Sequence, residues 1–253
     1  MAGGADHGES SGGINAHPMD QFIIKPLFGD DAMSLFTITN STLWMAVCVA
    51  IAYGLFVLPT RNATLVPGRM QSVAEVLYGF VRKTVLDVLG EEGKPYFPYI
   101  FVLFTFILIS NVAGLIPASF TVTSHIAVTG VLALMVFFSV TALGFARHGA
   151  KFLGLFWVDS APAPLRPVLF LLEMISYFVR PLSHSVRLAG NMMAGHAVLK
   201  VFAAFVPAMG VAGLIPIAAM TGIFALELLV AVVQAYIFTI LTCVYLNDAL
   251  HMH

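Results

Sequence analysis

Residues 183–196, "SHSVRLAGNMMAGH", place Arg187 inside one of the most apolar stretches of the chain, with His184, Asn191 and His196 for company. A guanidinium stays protonated at any accessible pH. It can hold or repel a charge, but it cannot pass a proton on. Histidine titrates near neutrality, and burial tunes a carboxylate upward, so those two residue types suit proton relay. A charge at the centre of a membrane helix costs about 2.5–3.5 kcal/mol on a translocon scale. The last two apolar elements nevertheless carry Glu173, Arg180, Arg187, Lys200, Glu227 and, at the end, Asp248.

Helical spacing organises these groups. Glu173, Arg180 and Arg187 are seven residues apart, so each step turns about 20° around a helix. Ser183 and Asn191 flank Arg187 at i−4 and i+4. One helix face therefore carries a polar stripe. Glu227, Gln234 and Asp248 keep the same register on the last element. An antiparallel hairpin about Gly210 sets Arg187 opposite Gln234, Glu173 opposite Asp248 and His196 opposite Glu227. His196 lies on the other face from Arg187, about 13 Å away along the axis. His196 and Glu227 thus form a second polar site, nearer the outer end. For Glu173 and Arg180, near the cytoplasmic end, ion pairing that merely locks the helices is an equal reading. Lys200 reads as a snorkelling cation with no assigned role. Arg187 has amides and hydroxyls as its expected neighbours and no carboxylate in register, which points to a counter-ion on another subunit.

The elements that must position these groups are membrane helices. The chain has 253 residues, of which 59% are hydrophobic and 10% charged, and its mean hydropathy is +0.93. Soluble domains are about 45–50% apolar and about 25% charged. The expectation is an all-α, polytopic membrane protein. The net charge of −1 gives no support for a nucleic-acid partner. Cys48 and Cys243 both lie in apolar runs and read as small core residues. No zinc spacing, phosphate-cradling loop or nucleophile elbow is present, which argues against a self-contained enzyme, a metal site or a cofactor.

Residues 1–40 form a polar segment, Gly/Ser-rich at first, without a signal-peptide pattern. The membrane domain is expected over 41–253. Its spans fall at about 42–58, 96–116, 124–145, 168–206 and 217–246. The fourth is nearly twice the roughly 20 residues a straight crossing needs, which implies strong tilt. Residues 69–89 form an amphipathic helix that either lies at the membrane interface or packs on protein. Arg61, Arg69, Arg82, Lys83 and Lys94 fall in one loop, and Arg147, Lys151 and Arg166 in another. Only Lys25 falls in the N-terminal segment. The positive-inside rule then puts the N-terminus outside and the C-terminus in the cytoplasm. The odd number of spans and the lack of an internal repeat argue against a two-fold duplicated transporter.

"SHSVRLAGN" closely resembles the signature of subunit a of rotary F-type ATP synthases: Ser183, Ser185, Val186, Arg187, Leu188 and Asn191 stand at its characteristic positions. "LVAVVQAYIFTILTCVYLNDA" resembles that family's last helix, with Gln234 in place, and the likeness extends back through "FTFILISNVAGLIP" to the first span. The resemblance implies that the last two helices form a long tilted hairpin against a ring of c subunits. The other implied partners are the peripheral-stalk b subunits, the rest of the complex and membrane lipids. Protons would enter by one half-channel, ride the ring and leave by another. Arg187 would separate the two, with Asn191, Gln234 and Ser183 lining its region.

His196 and Glu227 fall where the family often has the same pair in reverse order. Asn111 matches a polar residue of the outer half-channel, while a carboxylate found shortly after it in some members is replaced by Gly114. Ser124 and His125 either line that half-channel or form a solvated loop end. Glu173 would lie near the inner exit. The implied compartment is a bacterial plasma membrane, with the mitochondrial inner membrane as the alternative. A stand-alone secondary transporter or ion channel would also keep intramembrane charges, but would purify without a large ATPase. A membrane haem protein would need a second histidine pair besides His184 and His196, and would leave Arg187 unexplained.

Overall fold

A computed structural model describes residues 39–61, 66–116, 119–157 and 164–251. Most of the expected polar segment 1–40 and the span-closing Pro117 lie outside the described residues. Six helices carry the fold: α1 (Asn40–Arg61), α2 (Arg69–Leu89), α3 (Phe97–Gly114), α4 (Ile126–His148), α5 (Arg166–Ala208) and α6 (Leu214–Leu250). Short 3-10 turns join several of them, and no β-strand occurs among the described residues. Five helical stretches are long and apolar enough to cross a membrane. The chain is an all-α, multi-pass membrane protein. α5 has 43 residues and α6 has 37, so both far exceed one straight crossing.

Lipid is as apolar as a leucine side chain, so burial from water does not hold these helices together; close packing and interhelical hydrogen bonds must. α6 is central to that packing and lies against α2, α3, α4 and α5. Its inner face is built from small residues: Ala231, Ala235 and Cys243 are fully buried, and Ala249 nearly so. Thr239 and Thr242, equally buried, donate back to the carbonyls of Ala235 and Phe238 one turn earlier. Their hydroxyls are thereby satisfied without water. Thr129 bonds Ser185 across 3.1 Å, and Thr141 bonds the Tyr177 hydroxyl at 2.6 Å, which ties α4 to α5.

α2 is half packed and half free. Val81, Val85 and Leu89 enter the main core, whereas Met70, Val73 and Phe80 on its apolar side are exposed. Its C-terminal half packs on protein, and its N-terminal half offers apolar surface to the surroundings. α5 and α6 are joined by a tight turn in which Gly210 adopts φ 51°, a conformation that side-chain-bearing residues avoid.

The register of the α5–α6 hairpin differs from the one-for-one matching expected from residue numbers. His196 does meet Glu227. Gln234, however, is bonded by Asn191, one turn beyond Arg187, and Asp248 is paired with Arg180 and not matched to Glu173. Between Arg180 and His196 α5 advances about 24 Å, while α6 between Glu227 and Asp248 advances about 32 Å. The two helices therefore do not step together, and long side chains such as Arg180 span the difference.

Two tests follow from this packing. With Cys48 and Cys243 replaced by alanine, Asn191→Cys paired with Gln234→Cys should be bridged efficiently by a short thiol crosslinker. Glu173→Cys with Asp248→Cys, about 10 Å off register, should not; equal yields would contradict the hairpin described. Gly144 faces the buried ring of Phe152, which a Cβ at that position would overlap. Gly144→Ala should destabilise the protein by about 1–3 kcal/mol through overpacking. Gly79→Ala, which meets nothing within 4 Å, should leave the thermal midpoint of the solubilised complex unchanged.

Candidate functional site

Near the α5–α6 turn, His196 is held from three directions. Its Nε2 lies 2.9 Å from the Gly114 carbonyl at the end of α3 and 3.1 Å from the Thr121 hydroxyl in the following loop. Its Nδ1 lies 3.0 Å from the Met192 carbonyl and 3.1 Å from Glu227 Oε1. Both ring nitrogens thus face acceptors, and a ring carrying two protons can donate from each side. The Gly114 carbonyl also accepts from Thr121 and Ser119. A Cβ on Gly114 would sit 2.7 Å from Thr121 Cγ2, so the loop that serves His196 leaves no room for a carboxylate there.

Glu227 is 6% exposed, and His196 is its polar partner among the described residues. It can lie so close to α5 because residue 195 is glycine: a Cβ there would overlap the carboxylate. The same carboxylate borders two spaces. One is a cavity of about 770 Å³, lined also by His196, Lys200, Ser119 and Thr221. The other is a cleft of about 330 Å³, lined by Asn191, Gly195 and apolar residues of both helices. Lys200, read from sequence as a snorkelling cation, is a wall of the larger cavity.

Farther along α5, Ser183, Arg187 and Asn191 are all exposed and share one outward side, as their i, i+4, i+8 spacing requires. Asn191 Nδ2 donates to Gln234 Oε1 at 3.0 Å, and Gln234 itself is buried. This single hydrogen bond ties the two amides together across the hairpin. Arg187 forms no ion pair or hydrogen bond with any described residue.

At the other end of the hairpin, Arg180 Nη1 lies 3.0 Å from Asp248 Oδ2. The guanidinium also sits 4.8 Å from the Tyr245 ring centre and 5.7 Å from that of Tyr177. This pairing takes the place of the expected Glu173–Asp248 match. Glu173 is half-buried and has no ion pair among the described residues. His184 is buried and stacked on Phe238, with ring centres 4.6 Å apart.

Asn111 is fully buried and donates to the carbonyl of Ala231, one turn beyond Glu227 on α6. It ties α3 to the part of α6 that carries the carboxylate. Ser124 and His125 are not a solvated loop end. Ser124 is fully buried and donates to the Thr121 carbonyl at 2.6 Å. His125 stacks on Phe120 with ring centres 4.9 Å apart, and burial holds its pKa below the usual histidine value. The 3-10 turn Val122–Ser124 tucks against α3, α4 and α5, which is how Thr121 reaches His196. Thr121 gave no signal in the sequence, because it comes from a loop 75 residues away. Gly195 did leave a trace, since it directly precedes His196 in "AGH".

Comparisons with known proteins identify the family of the chain. Residues 42–247 match the family model described as ATP synthase A chain. The ATP synthase subunit a of Dinoroseobacter shibae is 61% identical over 245 residues, covering 97% of this chain and 98% of its own length. That of Paracoccus denitrificans is 59% identical over 243 residues, covering 96% and 98%. That of Rhodospirillum rubrum is 49% identical over 238 residues, covering 93% and 99%. With the match spanning every membrane helix and the site between them, this chain belongs to the ATP synthase A chain family.

Proposed function

We propose that this chain is the proton-translocating stator subunit of a rotary ATP synthase, and that Arg187 faces a carboxylate on each passing c subunit of the ring. The observation that carries this reading is the position of Arg187: a permanent cation on the outward side of the hairpin, unpartnered among the described residues, between two sites that each hold an ion pair of their own. A cation so costly in hydrocarbon is stable only beside an anion or water. The chain's own nearby carboxylates are engaged elsewhere, Asp248 by Arg180 and Glu227 by His196. The missing anion therefore belongs to another subunit.

In this mechanism the cavity of about 770 Å³ is the outer half-channel. A proton entering it passes to the His196–Glu227 pair. Glu227, which borders both the cavity and the cleft beside Asn191, hands the proton across the hairpin to the ring carboxylate. Once neutral, that carboxylate can face lipid at little cost. After nearly a full turn it meets the inner half-channel, which we place toward Arg180, Asp248 and Glu173, and releases its proton. Arg187 favours the ionised carboxylate as it passes, because an opposite charge nearby lowers a carboxylate's proton affinity. It also bars a direct proton path between the half-channels. Each proton driven across 100 mV contributes about 2.3 kcal/mol. Asn191 and Gln234 are tied by one hydrogen bond, and their remaining amide groups share the arginine with water and the ring carboxylate, so attraction to the ring stays reversible. Asn111 holds the Glu227 segment of α6 at its height, and Ser183 extends the polar side toward the inner end.

Eight basic residues in or bordering the two segments between α1 and α3 and between α4 and α5, against one in the N-terminal segment, support an outside N-terminus and a cytoplasmic C-terminus in a bacterial plasma membrane. The exposed helices, α1 above all, are surfaces for lipid and for the peripheral-stalk b subunits.

Arg187→Ala in the assembled complex should reduce proton-driven ATP synthesis to background while leaving a passive proton leak through vesicles. Arg187→Lys should fail as well, since an ammonium can give up its proton in apolar surroundings and is not a planar fork. Coupled synthesis at native rate in either variant would remove the separator role.

A further inference from the structure

The cavity beside the His196–Glu227 pair contains one charged side chain that the mechanism above does not use. Lys200 stands one helical turn after His196 on the same side of α5 and lines the cavity together with His196 and Glu227. It is partly buried and forms no ion pair with any described residue. A lysine that merely snorkels carries its ammonium away from the apolar interior to the membrane surface. This one has its stem in the wall of a cavity whose other ionisable groups are the relay pair itself.

We propose that Lys200 is a positioning residue that sets the proton affinity of the His196–Glu227 pair, by holding a fixed positive charge at the cavity wall. The inference rests on the reading of this cavity as the outer proton pathway. The charged and titratable groups lining the cavity are Lys200 and His196 from α5 and Glu227 from α6. α3 and the loop after it present uncharged groups: the Gly114 carbonyl and the hydroxyls of Thr121 and Ser119. His125, in the same loop region, is turned into its stack on Phe120. Arg187 lies about 13 Å from His196 along the axis and on the other face of α5. Among the described residues that line the cavity, Lys200 is therefore the fixed cation beside the pair.

Residues four apart on a helix have Cβ atoms about 5–6 Å from one another. The charges themselves stand farther out on the side chains, roughly 6–10 Å apart, and at an effective dielectric near 20 they alter each other's protonation by about one pH unit or more. Hydration of the open cavity reduces this to about half a unit to one unit. The sign follows directly. A cation disfavours protonation of the pair, so protons are passed on readily but captured only at a lower outer pH. Removing the cation makes capture possible at a higher outer pH.

The test uses the whole ATP synthase in vesicles, with ATP synthesis measured against outer pH at fixed inner pH and fixed potential. Lys200→Met and Lys200→Gln should move the outer pH of half-maximal synthesis upward by about half a unit or more. Lys200→Glu should move it further, and Lys200→Arg should keep the native midpoint. A native midpoint in both neutral variants would overturn the proposal. So would an equal shift in Lys200→Arg, which would mark a packing effect. The Arg187→Ala complex assayed alongside separates the two claims. Coupled synthesis there removes the underlying reading of the pathway, whereas a silent Lys200 series beside an uncoupled Arg187→Ala removes only the role of Lys200.

Discussion

A guanidinium in a membrane cannot solve its problem by losing a proton, so its surroundings must solve it. That constraint organises the α5–α6 hairpin. Among the described residues, the carboxylates of α6 on either side of Arg187 are paired: Asp248 by Arg180, with Tyr245 stacked against the cation, and Glu227 by His196. The amides nearest the arginine, Asn191 and Gln234, bond each other. Arg187 is left, among the described residues, as a positive charge on the outward side of the hairpin without an ion pair. The role proposed for Arg187 needs such an exposed charge, since a strong internal partner would quench it and a permanent external one would stop the proposed motion.

The rest of the fold holds that arrangement without help from water. In lipid, apolar side chains gain little by packing on each other in place of acyl chains, so the helices are joined by small residues and by hydrogen bonds between helices. Ala231, Ala235 and Cys243 let α6 come close to its neighbours. Asn111, Thr129 and Thr141 place single polar links at defined heights. Gly195 acts in the same way at the site itself. Its missing Cβ is the space in which the Glu227 carboxylate lies, and so it lets one acid border both the larger cavity and the cleft beside Asn191.

Much of this was legible in the residues alone. An arginine cannot be hidden in an apolar run, and helical periodicity says which groups share its face, so the membrane class, the long final hairpin, the stripe Ser183–Arg187–Asn191 and the proximity of His196 to Glu227 all follow from types and spacing. These are properties of single helices, or of two helices joined by one short turn, where geometry leaves few choices. The resemblance to subunit a of rotary ATP synthases added what no spacing supplies, namely the expectation that the counter-ion of Arg187 belongs to a ring subunit.

Only the tertiary structure decided which groups meet across helices that do not step together. Residue numbers matched Glu173 to Asp248 and Arg187 to Gln234; packing paired Arg180 with Asp248 and Asn191 with Gln234, because crossing helices drift in register and a long side chain spans a turn. It also decided that a loop threonine 75 residues from His196 would serve its ring, that Ser124 would be buried and not solvated, and that Lys200 would line a cavity. The physical reason is the same in each case. A sequence states the period of a helix and the chemistry of its faces, but the contact between two faces depends on crossing angle, depth and side-chain reach, which exist only once all the helices are assembled.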